Sequence, residues 1–204
     1  AKILICVRSQ YTIIASLYYL YVRKGGTLSF NKYVKLLIDN RKLDYWHLIQ
    51  EYQKVFSKEN VMVLFFEDLL NTPEKYVENI MKWIGVDFIP TLPGKRFKNS
   101  KKSTRFIKIQ RWANCLLGTK AFEREISVDE EKKLRKKIEL RSRLLLPFDM
   151  FLQKLSLLGF IQSEFSIRES ELKRMEETYG PGNKRLFEEL GLTFRSSGYP
   201  GSRT

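Results

Sequence analysis

The sequence predicts an α/β fold, a three-layer α/β/α domain with a short parallel sheet and helices on both faces. Two observations carry this. Ile3 to Val7 is an unbroken apolar run rich in β-branched residues, and Asn60 to Phe66 reads as a second strand, again apolar on both faces; both fit strands buried on both faces of a parallel sheet. Each run is followed by a polar turn and then by apolar residues at helical spacing, which makes it the first half of a βα unit.

The first strand stops at Arg8-Ser9-Gln10. Ile13, Ile14, Leu17, Tyr18 and Val22 then recur at helical spacing, so Gln10 to about Arg23 reads as a helix. Lys24-Gly25-Gly26-Thr27 ends it with a glycine stop and a positive last turn. Ser29 caps a second helix, whose stripe is Phe30, Tyr33, Val34, Leu37 and Ile38. A third runs from about Leu43 to Phe56, with Tyr45, Leu48, Ile49, Tyr52 and Phe56 on its apolar face and His47 facing solvent. After the second strand, Glu67-Asp68-Leu69-Leu70 leads to Thr72-Pro73-Glu74, an N-cap, a first-turn proline and an acidic residue that suits the positive helix end. Tyr76, Val77, Ile80, Met81 and Ile84 form the buried face of that helix, and Gly85 ends it. The adjacent carboxylates Glu67 and Asp68 admit acid/base chemistry, but tying the turn to backbone N–H groups is the favoured reading.

Phe88 to Pro93 reads as a loop. Lys95 to Arg111 then holds eight basic residues and no acidic one. Within it, Asn99-Ser100-Lys101-Lys102-Ser103 is a phosphate-friendly turn before a helix beginning near Thr104. A solvated basic face fits this stretch as well as an anion-binding loop does. Ala113 to Ile126 shows no clear pattern. Ser127-Val128-Asp129-Glu130 is a capping box that opens a charged, ion-paired helix through about Leu145. Phe148 to Leu158 is read as core. From Glu169 to Leu192, Gly180-Pro181-Gly182 is expected to split the chain into two helices. Residues 1–194 are assigned to one domain and 195–204 to a loose tail.

The 204 residues suffice for one good-sized core, and 43% hydrophobic with 29% charged residues marks a globular chain. No apolar stretch approaches the roughly 20 residues of a membrane-spanning helix, and residues 3–7, too short and followed by Arg8, are not expected to be a signal peptide. Cys6 in a strand and Cys115 in a helix are expected to be reduced core thiols in a cytoplasmic protein. With one histidine and two distant cysteines, no metal site is expected. The chain opens directly on a core-type strand, so it is expected to be a piece of something longer. The net charge of +14 favours a polyanionic partner: nucleic acid, acidic membrane, a phosphorylated cofactor or an acidic glycan.

Ligands of open α/β sheets sit beyond the carboxyl ends of the strands, where helix N-termini offer free N–H groups, and Arg8 lies at that edge. Ser16 follows eight positions later, about two turns into the helix. A guanidinium and a hydroxyl so placed can converge on one phosphate, the arginine gripping two oxygens. On spacing alone, a surface arginine and an ordinary helical serine fit as well.

This segment resembles the 3′-phosphate-binding segment of sulfotransferases that use 3′-phosphoadenosine-5′-phosphosulfate (PAPS), in which a strand ends in Arg and a Ser follows eight residues later. Ser9 and Gln10 stand where that family often has Asn or Asp and then Pro. Lys24 to Phe30 resembles a connection found in bacterial members, and Phe66-Glu67-Asp68-Leu69 resembles the strand–Glu-Asp-Leu–helix segment, with Phe66 at the usual Tyr. Tyr179, Asn183, Leu186 and Leu190-Gly191-Leu192 are similar to a C-terminal signature of bacterial sulfotransferases. More loosely, the basic, serine-containing stretch at 99–111 is similar to an active-site segment. The resemblance implies a P-loop NTPase-like architecture and sulfuryl transfer from PAPS to a hydroxyl or amine acceptor, a glycan or small metabolite, without a metal. It assigns Arg8 and Ser16 to the 3′-phosphate, which the desulfated product PAP shares, and Ser100, Lys101, Lys102 and Arg105 to the rest of the donor pocket. The family's Lys/Gly/Ser/Thr-rich phosphosulfate loop has no counterpart here, since Gly25-Gly26 follows a helix and Gly180-Pro181-Gly182 lacks the strand and the lysine. The family's base tends to lie near that loop, so no general base is assigned.

Two other classes stay open. One is a non-catalytic nucleotide- or glycan-binding homologue. The other is a nucleic-acid-binding module, against which the aromatics fall on helix stripes and form no stacking platform. A P-loop kinase needs a Gly-Lys-Ser/Thr loop that the sequence lacks. Acceptor identity and oligomeric state are not written in the residues.

Overall fold

β1 (Ile3–Val7) and β2 (Val61–Phe65) pair in parallel, in register from Ile3 opposite Val61 to Val7 opposite Phe65. Their carboxyl ends therefore lie side by side. The structure is a computed structural model and describes residues 1–87, 104–116, 136, 140, 165–194 and 198–202. The helical elements, in chain order, are α1 (Gln10–Arg23), α2 (Phe30–Asp39), α3 (Tyr45–Phe56), a 3₁₀ turn (Lys58–Asn60), α4 (Phe66–Asn71), α5 (Pro73–Ile84), α6 (Thr104–Leu116) and α7 (Glu169–Glu189). The chain divides into two compact units. The first comprises Ala1–Ile13, Leu37–Lys98 and Leu172–Thr204, the second Ile14–Leu36 and Asn99–Glu171.

In the first unit α3 packs against both strands. Val7, Tyr45, Ile49, Phe65, Leu186, Phe187 and Tyr199 form one buried cluster, with Ile5 and Val63 against it. Burying each large apolar side chain contributes roughly 1.5–3 kcal/mol, so this cluster is the main reason the unit holds. Asp44 starts α3 by accepting from the His47 N–H at 3.1 Å, and His47 is exposed as expected. The apolar face of α3 is narrower than its periodicity suggests, because Leu48 and Tyr52 are exposed. Pro73 opens α5 at its first position and Gly85 closes it in the left-handed region at φ +82°. Thr72 makes no capping bond there; its hydroxyl turns back to the Asp68 carbonyl at 3.3 Å. Of the predicted face of α5 only Tyr76 is fully buried, and Ile84 is exposed.

Three expectations are corrected. β1 is not buried on both faces: Leu4 is 41% exposed and Cys6 is also exposed, as is Cys115, so neither thiol is a core group. The strand alternates, and the cluster with α3 takes only the side of Ile5 and Val7. Second, Gly180-Pro181-Gly182 does not break the last helix, since α7 runs through it. Proline inside a helix costs about 3 kcal/mol, yet Met175, Tyr179, Asn183, Leu186 and Phe187 form one buried stripe on both sides of it, and that burial outweighs the loss. The glycines serve close approach: a Cβ on Gly180 would meet Gly201 Cα at 3.1 Å, and one on Gly182 would meet Trp46 Cβ at 3.1 Å. Third, the C-terminus is no loose tail over 198–202, because Tyr199 is 1% exposed and belongs to the core.

In the second unit, Tyr18, Tyr21, Phe30, Tyr33 and Phe165 form an aromatic cluster, with Tyr21 stacked on Tyr33 at 4.6 Å and Phe30 on Phe165 at 4.7 Å. The turn after α1 is stitched by side chains. Tyr18 Oη donates to the Leu28 carbonyl at 3.0 Å, and Tyr21 Oη accepts from the Thr27 and Leu28 N–H groups. Asn114 of α6, fully buried, donates to the carbonyls of Val22 and Gly26 at 2.8 and 2.7 Å, satisfying the end of α1. The loop expected at 88–93 and the apolar stretch at 148–158 lie outside the described residues, as does most of the charged helix at 127–145; its residues 136 and 140 are helical.

Candidate functional site at the strand ends

Arg8 is the first residue past β1, and the register sets it beside Phe66, the first past β2. Its guanidinium lies over the Phe66 ring, 4.6 Å from the centroid, a cation–π contact. Arg8 Nε donates to Thr12 Oγ1 at 3.0 Å, and that hydroxyl passes its own proton to the Ser9 carbonyl at 3.1 Å. The side chain is thus held along its inner edge and on one face. Among the described residues no carboxylate pairs with it and neither Nη group has a protein acceptor, so the outer fork keeps its N–H donors.

The turn carrying Arg8 is fixed atom by atom. Tyr45 Oη donates to the Arg8 carbonyl at 2.8 Å. The Ser9 N–H donates to Glu67 Oε1 at 3.0 Å, and Ser9 Oγ donates to the Gly198 carbonyl at 2.7 Å. Gln10, fully buried, donates through Nε2 to the Leu43 carbonyl at 3.1 Å and to Asn183 Oδ1 at 3.0 Å. Glu67 also accepts from Tyr199 Oη at 2.9 Å through Oε2, so each carboxylate oxygen has a donor. This is the structural role expected of Glu67. Burial pushes the Tyr45 hydroxyl up to about 12; burial and the neighbouring Glu67 carboxylate push Tyr199 higher still. Both stay protonated donors at any working pH.

Of the other residues singled out in the sequence, Ser16 is exposed on α1 within the second unit, so its link to Arg8 rests on the eight-residue spacing. Ser100, Lys101 and Lys102 lie outside the described residues, and so does the side chain of Arg105, whose backbone sits in the first turn of α6. Tyr45, Phe66 and Tyr199 were missed as neighbours of Arg8. A parallel pairing of the two predicted strands would have found Phe66; nothing local points to Tyr199, 132 residues from Glu67. No group of residues suited to a metal occurs among the described residues, and none of their helices is long and apolar enough to cross a membrane.

A family model described as "Sulfotransferase domain" matches residues 1–142, well over half of the chain and including both strand ends. The chain belongs to the sulfotransferase family. No curated protein and no solved structure matches it significantly. Sulfotransfer, with a donor and an acceptor, is the activity this family membership supports. In this sulfotransferase-family chain the matched segment contains Arg8, Ser16, Glu67 and the basic stretch at 95–111, whereas Asn183, Gly198 and Tyr199 fall beyond it.

Proposed function

We propose that the protein transfers a sulfuryl group from PAPS to a hydroxyl or amine acceptor, on a three-layer, P-loop NTPase-like α/β framework, and that Arg8 and Ser16 hold the 3′-phosphate of the nucleotide. Ser100, Lys101, Lys102 and Arg105 complete the donor pocket in this reading. The observation that carries it is the state of Arg8: a guanidinium at the carboxyl end of a parallel strand, stacked on Phe66, with its outer fork unpaired among the described residues. A planar fork of that kind matches two oxygens of a phosphate. Sulfuryl transfer resembles phosphoryl transfer in leaving little covalent chemistry to the protein, so placement of the donor and neutralisation of its charge dominate. Arg8 acts remotely from the sulfur, anchoring the nucleotide by the phosphate that ATP lacks.

Calorimetric titration of the full chain with adenosine 3′,5′-bisphosphate tests this. Arg8→Ala is expected to weaken binding more than tenfold, from loss of a charged bidentate contact, and Arg8→Lys to recover only part of it. Affinity for AMP, which has no 3′-phosphate, is expected to stay unchanged. Equal losses for both nucleotides, or no loss, would overturn the assignment. A radiolabelled sulfate-transfer assay then separates an enzyme from a binding homologue.

A further inference from the structure

Residues 198–202 lie beyond the matched family segment, yet they contact the turn that carries Arg8. Tyr199 is the anchor. Its ring packs edge-on against Phe65 at 5.9 Å and Phe187 at 5.3 Å, and its hydroxyl donates to Glu67. The other oxygen of Glu67 takes the Ser9 N–H, and the Ser9 hydroxyl returns to the Gly198 carbonyl. A closed ring of hydrogen bonds therefore joins Tyr199, Glu67, Ser9 and Gly198, one residue away from the guanidinium. The segment is itself held on α7, since Asn183 Nδ2 donates to the Pro200 carbonyl at 3.1 Å and the Gly201 N–H donates to Glu176, and it is closed on itself by Ser202 Oγ, which donates to the Tyr199 carbonyl at 2.7 Å.

We infer that Tyr199 is a positioning residue for the anion site: through Glu67 and Ser9, the C-terminal segment holds the Arg8 turn ready for a phosphate-bearing ligand, so that binding need not order it. This rests on the reading of Arg8 as the 3′-phosphate ligand. Fixing backbone before the ligand arrives removes an entropic cost of association, which is how a residue that never touches the ligand raises affinity. Glu67 is the coupling element, because a carboxylate with both oxygens engaged is locked to the core on one side and to the turn on the other.

Tyr199→Phe removes one hydroxyl and leaves the ring in the core. In the full chain it is expected to weaken binding of adenosine 3′,5′-bisphosphate about five- to tenfold, less than the full worth of a hydrogen bond to a charged group because Tyr199 acts only by ordering the turn. AMP affinity should not change, and the effect should vanish when Arg8 is already alanine. Ser9→Ala, which leaves the core ring intact, should show the same pattern and carries the test if Tyr199→Phe fails to fold. A merely structural role predicts a lower melting temperature with both nucleotides weakened alike, or an unchanged loss in the Arg8→Ala background; either result overturns the inference. If Arg8→Ala weakens binding while Tyr199→Phe and Ser9→Ala do not, only this inference falls. If Arg8→Ala is silent, the donor-site reading falls and takes this inference with it.

Discussion

Gly85 and Gly201 have nearly the same φ, +82° and +88°, in very different surroundings. Among the described residues a Cβ on Gly85 would meet nothing within 4 Å, whereas one on Gly201 would lie 2.7 Å from Gly180 Cα and 3.2 Å from its carbonyl carbon and oxygen. Alanine at Gly85 therefore costs only the strain of a left-handed L-residue, about 1–2 kcal/mol. Alanine at Gly201 costs that and a steric term. The obstacle is backbone inside α7, which cannot turn aside as a side chain can, so segment 198–202 has to lift and loosen Tyr199 and the Asn183 bond to Pro200. Overpacking of this sort adds roughly 1–3 kcal/mol. Urea unfolding of both variants, followed by far-UV circular dichroism, measures the difference with the strain common to both. Gly201→Ala should have the clearly lower midpoint. Equal costs, or a larger one at Gly85, would show that the C-terminal segment does not press on α7.

Asn114→Ala strips the donor from the carbonyls of Val22 and Gly26 in a fully buried place and should destabilise by about 2–3 kcal/mol; Asn114→Asp should be no better, since a carboxylate brings charge and no donor, and a thermal shift near zero for both would refute the cap. Alkali should unfold the protein cooperatively. Burial raises the pKa of Tyr18, Tyr45 and Tyr179 to about 12, against about 10 in the unfolded chain, so their contribution to stability is complete below pH ~10 and is lost as pH rises through ~12. The tyrosinate absorbance that appears in that window should therefore rise together with the loss of helical signal; the full tyrosinate absorbance reached well before the helices melt would refute it.

What could be read locally was read well. The ends of β1 and α1, the proline start and glycine stop of α5, and the exposure of His47 all follow from apolar periodicity and cap chemistry within a few residues, and those forces act over the same short range in the folded chain. Arg8 at a strand end was legible for the same reason. The misreadings share one cause: partners distant in sequence. Gly180-Pro181-Gly182 looks like a helix break until Trp46 and Gly201 are brought against it; then the missing Cβ atoms are what let the backbones meet. The serine-, glycine- and proline-rich C-terminus reads as a tail until Tyr199 finds Phe65, Phe187 and Glu67.

By itself, then, the sequence determined the strands, most of the helices, the family and the cation at the sheet's carboxyl edge, because each depends on neighbours along the chain. Only the tertiary structure decided which of that cation's surroundings are rigid. The Glu67 carboxylate accepts from a backbone N–H 58 residues before it and a phenol 132 residues after it, and no local pattern encodes a bond that exists only once the core has closed.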